Sequence, residues 1–248
     1  MIEIDLTLPL SYCEADIKHA IFERLPTLLA HELIAYRLYA VAVNTRQKPP
    51  KTIRARAVLT VSPERERGLL KMKKIVRPYE LAPLSVPKIN PPEKRPVIIG
   101  MGPAGLFAAL VLAQAGARPI VLEQGCAVEE RAKYVRAFFD GGALCTHSNI
   151  QFGEGGAGAF SDGKLKYGRL DELVLYVLEN FVRAGAPDTL LTLRSPHIGT
   201  DFLPTTVCNI RKKIVSLGGE VRFLHRLLRV NFCGNSVQSL TVEHAGEE

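Results

Sequence analysis

No Cys-x-x-Cys pair, no zinc-ligand spacing and no even cysteine count occur in this 248-residue sequence. Its five cysteines are Cys13, Cys126, Cys145, Cys208 and Cys233. A disulfide framework is therefore not expected, and a reducing compartment is. His19, His31, His147, His225 and His244 show no ligand spacing, so no metal site is expected. The opening Met1-Ile2-Glu3-Ile4-Asp5-Leu6 has two acids and no basic stretch before an apolar one. It does not read as a secretory leader, and the expected location is cytoplasmic. There are no internal repeats. One uncharged run, Val97 to Ala117, is 21 residues long and could span a membrane. Its Gly100, Gly102, Gly105, Gly116 and Pro103 suit a different reading, given below.

What is present is an ordinary globular composition, 47% hydrophobic and 23% charged, enough for one or two domains. The net charge is +7, and all of it lies in residues 1–96, which hold 17 basic and 10 acidic residues. Residues 97–248 hold 15 of each. Such an excess suggests a polyanionic partner, but the asymmetry says that a basic module precedes a neutral one.

Residues 2–10 alternate as a strand, Ala15–Leu25 has a helical face, and Leu33–Val43 and Ile53–Val61 read as strands joined by a turn at Thr45–Lys51. This β-α-β-β order predicts a small α+β domain, ferredoxin-like, over residues 1–76. Arg54 and Arg56 alternate with Ala55 and Ala57. That strand face is either simply solvated or a surface for RNA or an acidic partner. Six prolines in residues 77–96 predict a stiff linker. Beyond it the chain alternates: a short buried strand at Val97–Ile99, a helix at Gly105–Ala115 and a strand at Pro119–Leu122. A helix at Glu172–Arg183 places Leu173, Val177 and Phe181 on one face, and another spans Thr205–Leu217. Gly185 and Gly218 end these two helices. A strand at Glu220–His225 precedes a hairpin, Leu227–Phe232 with Ser236–His244, around Gly234-Asn235.

The strongest motif is Val97-Ile98-Ile99-Gly100-Met101-Gly102-Pro103-Ala104-Gly105, a strand feeding a G-x-G-x-x-G turn that opens a helix. Gly100 permits the tight turn. Gly102 lets a pyrophosphate approach the backbone, and Gly105 lets helix and strand pack closely. The helix N-terminus offers free N–H groups to phosphates. Glu123 closes the next strand, where its carboxylate can accept hydrogen bonds from an adenosine ribose and would repel a 2′-phosphate. The fingerprint does not separate FAD from NAD. A second block, 149–167, carries glycines at Gly153, Gly155, Gly156, Gly158 and Gly163, with Gln151, Glu154, Ser161, Asp162 and Lys164 as polar neighbours. It reads as a second close-approach loop on the same nucleotide, or as a plain flexible loop.

Gly100–Gly105, Glu123, the Gln151–Leu165 block and Pro196-His197-Ile198-Gly199-Thr200-Asp201 together resemble the uncharacterised FAD-dependent dehydrogenases of bacteria. The resemblance covers most of residues 90–248 and, more loosely, 1–80. It implies a Rossmann-like FAD/NAD(P)-binding fold over 97–248, with FAD as cofactor and a flavin-dependent oxidoreductase activity on an unknown small molecule, NAD(P)H being a candidate electron donor. It implies that Gly100, Gly102, Pro103, Ala104, Gly105, Glu123 and Gln124 meet the ADP half. Arg131, Asn149, Gln151, Gly153, Gly155, Gly156, Gly158 and Lys164 would then lie near the rest of the cofactor. The family usually has Glu-Arg-Gly where this chain has Glu123-Gln124-Gly125, so a cation near the adenine edge is lost. The family also continues for roughly as much chain again, so a fragment carrying the nucleotide half is expected.

No catalytic residue is assigned; Lys164, near the flavin edge, and His197, as a substrate-side acid or base, are the candidates. Cys145 stands about where dithiol flavoenzymes place a redox pair, but the partner position five residues on is Ile150, so a packed thiol is expected. Two other functions remain open: an NAD-dependent dehydrogenase, and a non-catalytic nucleotide- or RNA-binding module led by the basic domain.

Overall fold

The computed structural model describes every residue except 47, 48, 50, 82, 83, 161, 162, 166, 168, 169, 195, 200 and 245–248. It is a mixed α/β structure of two compact units. The first is Met1–Pro83 with Leu165–Leu175 and Asp188–Pro196; the second is Leu84–Lys164 with Tyr176–Pro187 and His197–Glu248.

The first unit is built on strand β1 (Ile2–Pro9), whose even-numbered residues Ile2, Ile4, Leu6 and Leu8 are buried. A period of two puts them all on one face. Strand β1 pairs antiparallel with β3 (Thr52–Thr60) and with β4 (Val76–Pro78), and β3 pairs with β2 (Ala35–Val43), giving the order β2-β3-β1-β4. Helix α1 (Glu14–Arg24) contributes Ile21 to this core, and helix α2 (Pro63–Leu69) contributes Leu69. The Ser62 hydroxyl accepts the Arg65 N–H and so starts α2. Helix α2 and strand β4 are absent from the sequence reading. Seven residues with four charges hide the helix, and Pro78 masks a strand that survives because it lies at the sheet edge.

Strand β2 carries a bulge between Tyr39 and Ala42, with Ala40 at φ 52°. The bulge frees Val41 to exchange backbone hydrogen bonds with Thr192 and Arg194, which gives the edge strand a further partner.

The second unit holds a three-stranded parallel sheet, β5 (Val97–Ile99), β6 (Ile120–Glu123) and β7 (Glu220–Phe223), in the order β5-β6-β7. Helix α3 (Pro103–Ala115) joins the first two strands and buries Leu106, Ala109, Leu110 and Ala113. The uncharged run is thus strand, turn and a 13-residue helix, and no helix among the described residues is long and apolar enough to cross a membrane. Arg95 ties the strand entrances: its guanidinium donates to the Arg118 carbonyl at 2.7 Å and to Glu220 at 2.8 Å.

Strand β5 is not the buried strand the sequence suggests. Val97 and Ile99 are exposed, because β5 is the sheet edge. Helix α4 (Val128–Phe139) is also absent from the sequence reading; its five charged residues obscure the buried stripe Val128, Arg131 and Val135. Helix α5 (Glu172–Arg183) buries Leu175, Tyr176, Leu178 and Phe181, while Leu173 faces solvent. Leu173 therefore does not share the buried face expected for it. Helix α6 (Leu203–Ser216) buries Val207, Ile210 and Ile214. Strands β8 (His225–Cys233) and β9 (Ser236–His244) form the hairpin around Gly234.

The sharpest packing test falls on β1. Ile4 is fully buried, so Ile4→Ala should cost about 2–5 kcal/mol in urea unfolding. Exposed Arg54→Ala on the neighbouring strand should stay within about 0.5 kcal/mol.

Candidate functional site

At the end of β5 the chain turns through Gly100 at φ 86°, a left-handed conformation that favours glycine. The Gly100 N–H still reaches back to the Leu122 carbonyl at 2.7 Å. Helix α3 then starts at Gly102 with Pro103 in its first position, and no side chain caps that end. Proline has no N–H to lose there, and its fixed φ suits the first helical turn.

The three glycines of the turn do different work. A Cβ on Gly105 would land on the Gly100 carbonyl oxygen, 3.0 Å from its carbon and 3.4 Å from the Ile98 side chain. Gly105 is thus the close-packing position between helix and strand. A Cβ on Gly102 would meet nothing within 4 Å. The space beside Gly102 is open, and it belongs to a pocket of about 390 Å³. Ile99, Gly100, Glu123, Gln124, Gln151 and Phe152 are among the residues lining that pocket.

Glu123 sits at the end of β6 and is buried. One carboxylate oxygen accepts the Met101 N–H at 2.6 Å and the other accepts the Gly125 N–H at 2.8 Å. The residue therefore braces the glycine turn from below. Each oxygen keeps a second lone pair, and Glu123 is among the residues that line the pocket.

The glycine-rich block lies against this turn. The Gly155 N–H donates to the Met101 carbonyl at 2.8 Å. A Cβ on Gly156 would press within 3.1 Å of the Pro103 ring, and one on Gly125 would come within 2.7 Å of the Gly153 nitrogen. Only bare backbone lets these segments touch. Asn149 folds the start of the block: its amide oxygen accepts the Gln151 and Phe152 N–H groups at 2.9 and 3.2 Å.

Arg131 holds the block in shape. It reaches in from α4 with no exposed surface. Its guanidinium donates to the carbonyls of Asn149 (2.7 Å), Ile150 (2.6 Å), Gly153 (3.4 Å), Glu154 (2.7 Å) and Gly156 (2.8 Å). It also lies over the Phe160 ring, 4.8 Å from its centroid. Burial pushes its pKa down to about 10, opposed by the nearby Glu123 and Glu154 carboxylates, so it stays charged at neutral pH. A left-handed Gly153, at φ 117°, is needed here, because a Cβ would sit 3.0 Å from the Arg131 Nε. Arg131 is thus occupied by backbone carbonyls, an internal role the motif alone does not reveal.

Glu154 is the second internal anchor. It is fully buried, accepts the Val128 N–H at the start of α4 at 2.8 Å, and faces Arg211 Nε of α6 at 3.1 Å as an ion pair without hydrogen-bond alignment. Burial raises its pKa, opposed by the Val128 N–H and the Arg211 charge.

Among the other expected residues, Gly158 is half-buried and its missing Cβ faces open space. Lys164 and His197 come together as an antiparallel bridge, both exposed. The Ile198 N–H donates to the Gly163 carbonyl at 3.0 Å beside them. Ser161, Asp162 and Thr200 lie outside the described residues. His225, Arg226 and Leu227 of β8 also line the pocket, which sequence reasoning missed. They stand some 70 residues past the block, and no local pattern marks them.

In the first unit, part of the basic strand face is paired with acids. Arg77 pairs with Glu3 at 2.7 Å and Asp5 at 3.1 Å, and Arg56 pairs with Asp5 at 3.4 Å. The Tyr39 hydroxyl donates to Glu3, and burial pushes its pKa up to about 12.

Arg131→Lys would leave at least two of the five carbonyls unpaired, since an ammonium has three donors and no fork. It should cost about 3–5 kcal/mol in chemical denaturation, with faster amide exchange confined first to residues 149–156. Glu154 gives a pH signature. A carboxyl whose native pKa lies above its unfolded value stabilises the fold fully below the unfolded pKa, and that contribution is lost as pH rises through the native one. The wild type should therefore lose stability relative to Glu154→Gln as pH climbs from below 4.5 through the raised value. Urea midpoints of both proteins across that range check it, and a constant difference excludes it.

No protein-family model matches this sequence. Over 148 residues, 60% of this chain, it is 47% identical to an uncharacterized protein of Clostridium beijerinckii. The matched part spans 28% of that relative's length.

Proposed function

We propose that the second unit binds FAD by its ADP half and that the protein is a flavin-dependent oxidoreductase acting on a small molecule. The parallel β5-α3-β6 arrangement, with β7 beside it, suits a Rossmann-like fold, in which ligands lie beyond the carboxyl ends of the strands. The resemblance of the glycine-rich block to bacterial FAD-dependent dehydrogenases supports FAD over NAD.

One observation carries the reading. At Gly105 a side chain is excluded by the fold itself, whereas at Gly102 the space beside the backbone is open and belongs to the pocket. A purely structural glycine turn gives no reason for Gly102 to be bare. Close approach of a pyrophosphate does.

The residues fit the ADP half. The uncapped start of α3 would hold the pyrophosphate, through the Ala104 and Gly105 N–H groups and the Gly102 approach. Glu123 would take ribose hydroxyls on its remaining lone pairs, a role that disfavours a 2′-phosphate. Gln124 and Gln151 would supply neutral hydrogen bonds at the pocket wall. Bound FAD would supply the hydride or electron transfer, and the protein the binding and orientation. Lys164 and His197, bridged to each other, remain the candidates on the reacting side.

The test is retention of flavin absorbance by the purified full chain, followed by FAD and ADP titration. FAD should bind saturably and ADP should compete. Gly102→Ala should leave stability within about 1 kcal/mol, since the site is open at φ −67°, yet weaken FAD by about tenfold or more, 1.4 kcal/mol. Gly105→Ala should instead lower stability itself. Failure of both FAD and ADP to bind a folded chain overturns the proposal, and saturable NAD binding without FAD binding replaces it with the dehydrogenase reading.

A further inference from the structure

Cys126 and Cys145 are far apart for any dithiol spacing, yet the fold brings them into one pocket. Cys126 precedes α4 and Cys145 follows it. Both are half-buried and both line a pocket of about 400 Å³ with Gln124, Tyr134, His147 and Arg226.

The two segments run side by side. The Cys126 N–H donates to the Ser148 hydroxyl at 3.3 Å. A Cβ on Gly125 would come within 2.9 Å of the His147 carbonyl oxygen. The Cys145 carbonyl accepts the Asn149 amide at 2.9 Å, so it belongs to the same folded turn. Helix α4 and the segment that returns from it therefore form a loop that carries one thiol on each side and brings both to one pocket. The partner position five residues after Cys145 is Ile150, and Cys126 lines the same pocket as Cys145.

The geometry points to Cys126 and Cys145 as a reversible dithiol–disulfide site, open to a small disulfide oxidant. His147 and Arg226 line the pocket beside the two thiols. Arg226 is shared with Glu243, which lies 3.9 Å away. With glutathione disulfide as oxidant, one thiolate attacks a glutathione sulfur and releases the first glutathione. The second thiolate then attacks the protein sulfur of that mixed disulfide and releases the other. Two S–H bonds are exchanged for one S–S bond. The two electrons and two protons end on two glutathione thiols.

The pocket shares Gln124 and Arg226 with the nucleotide pocket. Closing the disulfide would fix the 145–149 turn that starts the glycine-rich block. The inference stands on thiol chemistry and does not require a flavin.

The test is treatment of the folded full chain with glutathione disulfide, alkylation of the remaining thiols and peptide mapping by mass spectrometry. Two of the five thiols should be lost, as a Cys126–Cys145 crosslink within one chain, and dithiothreitol should restore them. Cys126→Ser and Cys145→Ser should each abolish the crosslink and leave the remaining cysteine as a mixed disulfide with glutathione. Retention of all five thiols, a crosslink to Cys13, Cys208 or Cys233, or a bond between two chains overturns the proposal. The wild-type map decides the matter by itself if either variant fails to fold.

Discussion

A buried guanidinium gathering five backbone carbonyls is the constraint on which the candidate site depends. The block from Asn149 to Phe160 is too rich in glycine to hold a conformation through its own side chains, and bare backbone loses more entropy on ordering than any other. Arg131 supplies what the block lacks. Its planar fork addresses several carbonyls at once, and neighbouring Glu123 and Glu154 offset part of the cost of burying the charge. The glycines are what let the carbonyls converge, and the arginine is what stops them from wandering.

The same logic extends to the first glycine turn. Glu123 accepts two backbone N–H groups, and the Met101 carbonyl accepts the Gly155 N–H. Two loops distant in sequence are thereby tied by hydrogen bonds through one residue, Met101. A pocket wall built of backbone, with its polar groups already satisfied underneath, can offer N–H groups to a ligand without collapsing onto itself. Glu154 does for helices α4 and α6 what Arg131 does for the loop, holding one N–H and one cation from inside the packing.

Charge has a different meaning in the two units. The excess of +7 falls on the first 96 residues, yet on the β1-β3-β4 face Arg56 and Arg77 meet Glu3 and Asp5. Formal charge counted along a sequence overstates the field at a surface when acids on one strand face bases on the next. Residues 97–248, with as many acids as bases, carry the candidate pocket, and oriented peptide N–H groups can meet an anion without net charge.

The sequence by itself determined the periodic elements and the turn. Alternation in Ile2–Leu8, the apolar face of α6 and the Gly100–Gly105 spacing are local patterns, each legible within a few residues because backbone geometry repeats at fixed periods. Helices α2 and α4, the exposure of β5 and the outward turn of Leu173 were not legible, because charge density and sheet position override local hydrophobicity. Only the tertiary structure decided that Arg131 serves carbonyls, that β8 closes one wall of the pocket, and that Cys126 and Cys145 line a common pocket. Those are contacts between segments with no shared period, and they are set by which backbones can approach closely enough to touch.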